Sequence, residues 1–239
     1  MAGHGVFITG DEFSIRKAMK TCCTYAIGSK VIEETYDYRM NIEEEELWIN
    51  NFGKDNFEKS IEVIHAVEEK FDVAYTDYSF RMLAEYLSIQ LFRTRMGNVI
   101  TEDIYIPETF NRNESLVNMV VEYFEQLGKV NLNEYEKQYI DILFASAAVQ
   151  TVENANKVHM ISEFEEKNKE ICEEMLEYLS EILNINLLDN ELLRTSLEGF
   201  IPASIVRTAY GIEVKNPFLS DIREMYSGIF ATCFTLGKL

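Results

Sequence analysis

The sequence predicts an all-α fold, with two related helical modules behind an N-terminal helical connector, and three observations carry that reading. Three prolines and eleven glycines in 239 residues are fewer than a loop-rich β protein uses. Long stretches set apolar residues three and four apart with charges between them, the period of a half-buried helix. Finally, "FRTRMGN" at 92–98 returns as "VRTAYGI" at 206–212, with arginine, threonine and glycine in the same places. A repeated helix end points to a repeated module.

Taken in order, "GDEFSIRKAM" opens a helix expected over 11–35, with an aspartate cap and Phe13, Ile15, Ala18, Cys22 and Ala26 on its apolar pattern. The run "EEEELW" at 43–48 puts acid in the first turn of a short helix, where the macrodipole favours it. Consecutive glutamates point to different sides of a helix, so the run is no metal site. "NFEKSIEVIHAVEEKF" follows, with Phe57, Ile61, Ile64, Val67 and Phe71 at helical spacing. The next helix carries Phe80, Leu83, Leu87 and Leu91 on one face and stops at Gly97-Asn98. Residues 99–112 read as a connection. Helices are expected at 113–128 and at 132–152, the second capped near Asn133, and "ENANKV" at 153–158 is the best internal boundary.

The pattern then recurs. A long amphipathic helix is expected at 160–184, followed by "ELLRTSLEGFIPASIVRTAYG", in which Pro202 predicts a kink. Laying 80–97 over 194–211 aligns Leu83 with Leu197, Leu87 with Ile201 and Leu91 with Ile205. The expected organisation is a connector at 1–54, a first module at 55–152 and a second at 158–239. The second has only 28 residues after Gly211, so it reads as cut short.

Composition excludes several classes. The formal net charge is −19, from 41 acidic and 22 basic residues, and such a surface repels nucleic acid. The longest uncharged stretch, 225–237, is too short for a membrane span. The opening "MAGHGVF" lacks the basic and apolar parts of a signal peptide, and the cysteines show no disulfide framework, so a cytoplasmic chain is expected. Cys22 and Cys23 read as two small buried residues on a helix. Phosphate-binding and nucleophile-elbow motifs are missing, so no catalytic residue, cofactor or metal ligand is assigned.

Two segments carry a family resemblance. "LAEYLSIQLFRTRMG" and "LEGFIPASIVRTAYGIEVKNPFLSDIREMY" resemble the phosphotransferase-system regulation domain. The second holds that family's run as Tyr210-Gly211-Ile212, Asn216-Pro217, Leu219, Ile222 and Tyr226. "LNEYEKQYIDILFASAA" at 132–148 is similar to its closing helix. "GVFITGDEFSIRKAM" is similar to the segment after the DNA-binding part of MtlR-, LicR- and Mga-like activators. The resemblance implies a dimeric, usually tandem helical bundle in transcription activators and BglG-like antiterminators, phosphorylated on histidine by the carrier HPr or by enzyme II. Nucleic acid would be bound only through a separate N-terminal domain.

The same resemblance places the family's phosphoacceptor histidines at Tyr86, Leu143 and Phe200, none of them histidine. Arg93 and Arg207, one helix arginine per module, are then candidate structural or phosphate-contact residues. His65 and His159 are candidate relocated phosphoacceptors. His65 reads as a half-buried residue at the edge of an apolar face, His159 as an exposed linker residue, and His4 as part of a leader. The expectation is therefore a non-enzymatic, homodimeric regulatory region linked to sugar supply, with its usual phosphoacceptors replaced. The alternatives are a pure oligomerisation scaffold and a helical small-molecule sensor.

Overall fold

The computed structural model describes residues 8–25, 39–40, 42–106, 113–150, 162–213 and 219–236. Those residues form ten α-helices and no strand, so the all-α prediction holds. The helices are α1 (Glu12–Tyr25), α2 (Ile42–Phe52), α3 (Lys54–Phe71), α4 (Asp77–Arg95), α5 (Glu114–Gln126), α6 (Glu134–Ala145), α7 (Ser162–Leu183), α8 (Glu191–Tyr210), α9 (Leu219–Met225) and α10 (Ser227–Leu236). The boundary expected at 153–158 lies outside the described residues, as does the end of the first expected helix beyond Tyr25.

Side-chain acceptors start the helices where the sequence supplies them. Asp11 accepts the Ser14 amide ahead of α1, and Thr76, Asn113, Asn133 and Asn190 cap α4, α5, α6 and α8 in the same way. Each such cap stabilises a helix by about 1 kcal/mol.

The two copies of R-T-x-x-G are one helix-ending device used twice. At the end of α4 the Gly97 amide donates to the Thr94 carbonyl and the Asn98 amide to that of Arg93. At the end of α8 the Gly211 amide donates to Thr208 and the Ile212 amide to Arg207. Both are Schellman stops, which need a left-handed residue, and Gly97 and Gly211 have φ of 81° and 61°. Asp72 (φ 49°) and Asn184 (φ 51°) end α3 and α7 with the same pair of bonds.

The core is continuous across the expected parts. It joins Trp48 and Phe52 of α2 to the apolar faces of α3, α4, α5 and α6, and to Val206 and Ile212 at the end of α8. Trp48 and Phe52 stack at 5.1 Å between ring centroids, and Phe52 meets Phe92 edge-on at 5.5 Å. α3 packs chiefly on α4, α5 on α6 and α7 on α8, while α6 also meets α8.

One helix is shorter than its pattern predicts. Of the expected helix 132–152, the described residues are helical only over Glu134–Ala145. Beyond it, Val149 forms an antiparallel bridge with Tyr75, and the Thr76 and Gln150 amides donate to Ala148 and Ala74. That local pairing satisfies the backbone groups that a longer helix would have used. α8 continues through Pro202, whose ring nitrogen cannot donate to the Glu198 carbonyl.

Candidate functional site

The densest polar network of the described residues lies where α1 meets α4, α6 and the end of α8. α1 turns its cations inward. Arg16 is fully buried and donates two hydrogen bonds to the equally buried Glu136, at 2.6 and 2.7 Å. Glu136 also accepts from Gln90 (2.8 Å) and from the Ile100 amide (2.8 Å), so every oxygen of this buried carboxylate is occupied. The Arg16 guanidinium lies 5.0 Å over the Tyr139 ring.

Arg93 is held one turn away. Its Nε and Nη2 donate to Glu12 at 2.9 and 2.6 Å, and Glu12 also accepts from Arg16 at 3.0 Å. Burial pushes the Glu12 carboxyl up, but the hydrogen bonds from Arg93 and the charge of Arg16 outweigh it and leave it below the usual glutamate range. Arg93 is thus a tie between α4 and α1. Its phosphate-contact role would require Glu12 to let go.

Further along α1, Lys17 donates to the Tyr210 carbonyl at 3.1 Å, and Lys20 donates to that of Glu213. Cations suit the C-terminal end of a helix. Lys20 also pairs with Glu85 at 3.2 Å and sits 4.8 Å over the Tyr86 ring. One helix therefore holds the ends of both repeated helices, α4 through Glu12 and α8 through Lys17 and Lys20.

Arg207 makes the second junction. Its Nη1 donates to the carbonyl of Ser146, which caps α6, at 2.9 Å, and its Nη2 donates to Ser204 at 2.7 Å. Half-burial holds its guanidinium below the usual arginine range. The guanidinium also rests 5.1 Å from the centroid of the Phe200 ring. Beside it lies a cleft of about 780 Å³, walled by Phe200, Ser204, Arg207 and Thr208 of α8 and by Asp77 and Gln150 among others.

Tyr86, Leu143 and Phe200, the positions expected from the resemblance alone, differ sharply. Tyr86 is 1% exposed, and burial pushes its phenol far up, against a hydrogen bond from the Glu213 backbone. Leu143 is wholly inside the core. Phe200 is 53% exposed and lines the cleft.

Two expectations need correction. His65 is not half-buried: it is exposed, with Nδ1 3.3 Å from Glu68 and its ring 5.4 Å from Phe80. It stands on the rim of α3, where the core-facing places are taken by Ile61, Ile64 and Val67. Cys22 is exposed and Cys23 half-buried, because α1 turns Arg16 and Lys20 inward. Burial and the neighbouring Cys22 push the Cys23 thiol up to about 11, away from reactive thiolate. His4 and His159 lie outside the described residues.

Sequence reading missed Glu12, Arg16, Lys17, Lys20 and Glu136 as working groups. The available signal was Glu12–Arg16 at i,i+4, with three cations within five positions of a helix in an otherwise acidic chain. Among the described residues no group of histidine, cysteine or acidic side chains is arranged to hold a metal, and no helix is long and apolar enough to cross a membrane. No family model, curated protein or solved structure matches this chain.

Proposed function

We propose that this chain is the regulatory and dimerisation region of a sugar-responsive transcription regulator or antiterminator linked to the phosphotransferase system. It works without catalysis, and its usual phosphoacceptor histidines are replaced by Tyr86, Leu143 and Phe200. The observation that carries the reading is the grip of α1 on both repeated helix ends, through Glu12–Arg93 and through Lys17 and Lys20 at Tyr210 and Glu213. A connector fastened to both modules is where a change in their relative position reaches whatever the connector is joined to. The burial of Tyr86 and Leu143 supports the loss of phosphorylation at those places.

The test combines two readouts on one sample: intact mass after incubation with phosphoenolpyruvate, enzyme I, HPr and enzyme II domains, and sedimentation velocity. The reading expects a dimer. A monomer at about 100 μM, weaker than the affinity of most specific self-association, overturns it. An acid-labile phosphate on His65 or His159 that changes the sedimentation identifies a relocated switch. A dimer that takes up no phosphate, with every carrier active, assigns control to other inputs or leaves a scaffold.

A further inference from the structure

The cleft beside Arg207 has the charge and hydrogen-bonding character of a ligand site. Arg16, Arg39, Arg93, Arg95 and Arg194 each grip a carboxylate within 3.0 Å. Arg207 grips none among the described residues; its two hydrogen-bond partners, a carbonyl and a hydroxyl, are uncharged. A guanidinium has five N–H donors, so three remain for a ligand. In a chain of net charge −19, a half-buried arginine left without a carboxylate stands out. Burial already costs this charge some of its stability, and a bound anion would return it.

The rest of the wall is rich in acceptors. The Thr208 hydroxyl spends its proton on the Ser204 carbonyl, which leaves its oxygen as an acceptor, while the Ser204 hydroxyl donates to the Phe200 carbonyl and accepts from Arg207. Gln150 uses its amide N–H on the Tyr75 carbonyl, leaving its side-chain oxygen, and the Asp77 carboxylate makes no hydrogen bond among the described residues. Phe200 adds an exposed aromatic face. A simple inorganic anion would satisfy Arg207 but meet only repulsion from Asp77. A molecule with an anionic group at one end and several hydroxyls elsewhere satisfies both. A space of about 780 Å³ is ample for a monosaccharide-sized ligand.

We infer that the cleft between α8 and the start of α4 binds a small polyhydroxylated organic anion of the sugar-phosphate or sugar-acid class, with its anionic group on Arg207 and its hydroxyls on Asp77, Gln150 and Thr208. The site joins the two modules, because Arg207 also holds the α6 cap at Ser146. Occupancy would therefore tighten that junction. The inference stands apart from the regulator reading and survives its failure.

The test is calorimetric titration of the whole chain with glucose 6-phosphate, fructose 6-phosphate and 6-phosphogluconate, with glucose and inorganic phosphate as controls. At least one of the three anions is expected to saturate below about 1 mM, and tenfold or more tighter than either control. Arg207→Gln is expected to weaken it by at least about tenfold, the scale of one charge-assisted hydrogen bond. Phe200→Ala and Asp77→Asn, both at exposed positions, should weaken it without disturbing the fold. Asp77→Asn should not weaken inorganic phosphate. No saturation by any of the three up to about 10 mM overturns the inference. So does phosphate binding as tightly as the sugar phosphates, or binding unchanged in Phe200→Ala and Asp77→Asn whether or not Arg207→Gln folds.

Discussion

Glu136 shows how much one side chain can hold together. Its carboxylate neutralises Arg16 and also satisfies Gln90 and the Ile100 amide, all without contact with water. Removing one partner of a buried ion pair strands the other, at a cost of about 3–5 kcal/mol. Glu136→Ala is therefore expected to shift the urea midpoint by that equivalent, and Arg16→Met in the same chain to recover part of it. Equal losses in the single and double variants would show that Arg16 finds solvent instead. Glu12 sets the pH dependence of the neighbouring pair. Its folded pKa lies below its ordinary value, so its contribution is present above that value, about 4.5, and fades as pH falls through the folded pKa. Wild type and Glu12→Gln should accordingly differ in urea midpoint at neutral pH and converge in acid. A difference that does not shrink as pH falls below the ordinary glutamate range would assign the effect to packing.

At the scale of an element, the repeated R-T-x-x-G makes a prediction about strain without a clash. A Cβ on Gly97 would meet nothing within 4 Å, and one on Gly211 only the tip of Lys17 at 3.5 Å. The penalty of Gly97→Ala or Gly211→Ala is then the left-handed backbone alone, about 1–2 kcal/mol by thermal or urea denaturation. A neutral result would mean the helix ends refold locally into another stop. These ends were legible because glycine after an apolar helical pattern has one strong meaning, and Asn133 was legible as a cap for a similar reason. Asp72 and Asn184 do the same work without so clear a sign. "SAAVQ", at 146–150, is as compatible with helix as with the extended pairing it adopts, and its partner Tyr75 is too distant in sequence to announce itself. The candidate site was harder to see for the same reason. Arg93 was legible as a residue, whereas its partner Glu12 lies 81 positions earlier. Arg16 and Lys20 carry charges, which sequence patterning assigns to the outside, yet the structure buries them because acceptors wait there.

For the whole molecule, the proposed dimer raises the question of what would bring two copies together against their own charge. With −19 on each chain, approach is opposed over about a Debye length, so association must come from apolar contact. α9 and α10 offer such a surface: Leu219, Met225, Tyr226, Ile229 and Phe234 are all 44–71% exposed, and Phe230 and Phe234 stack at 6.1 Å to stiffen it. Patches of this kind on otherwise charged proteins mark places of contact. The proposed dimer is therefore expected to form through this face. Ile229→Lys, which adds a charge where a partner would have to desolvate it, should weaken self-association by tenfold or more and leave the fold intact, since Ile229 is outside the core. Salt supplies the independent check. Screening relieves repulsion between like-charged copies and leaves apolar burial in place, so raising salt from about 0.05 M to about 0.5 M should tighten the dimer. An interface built on ion pairs would loosen instead. Sedimentation across that range separates the two. A dimer that weakens with salt and tolerates Ile229→Lys would move the interface away from α9 and α10, to a surface whose charges face each other in opposite signs.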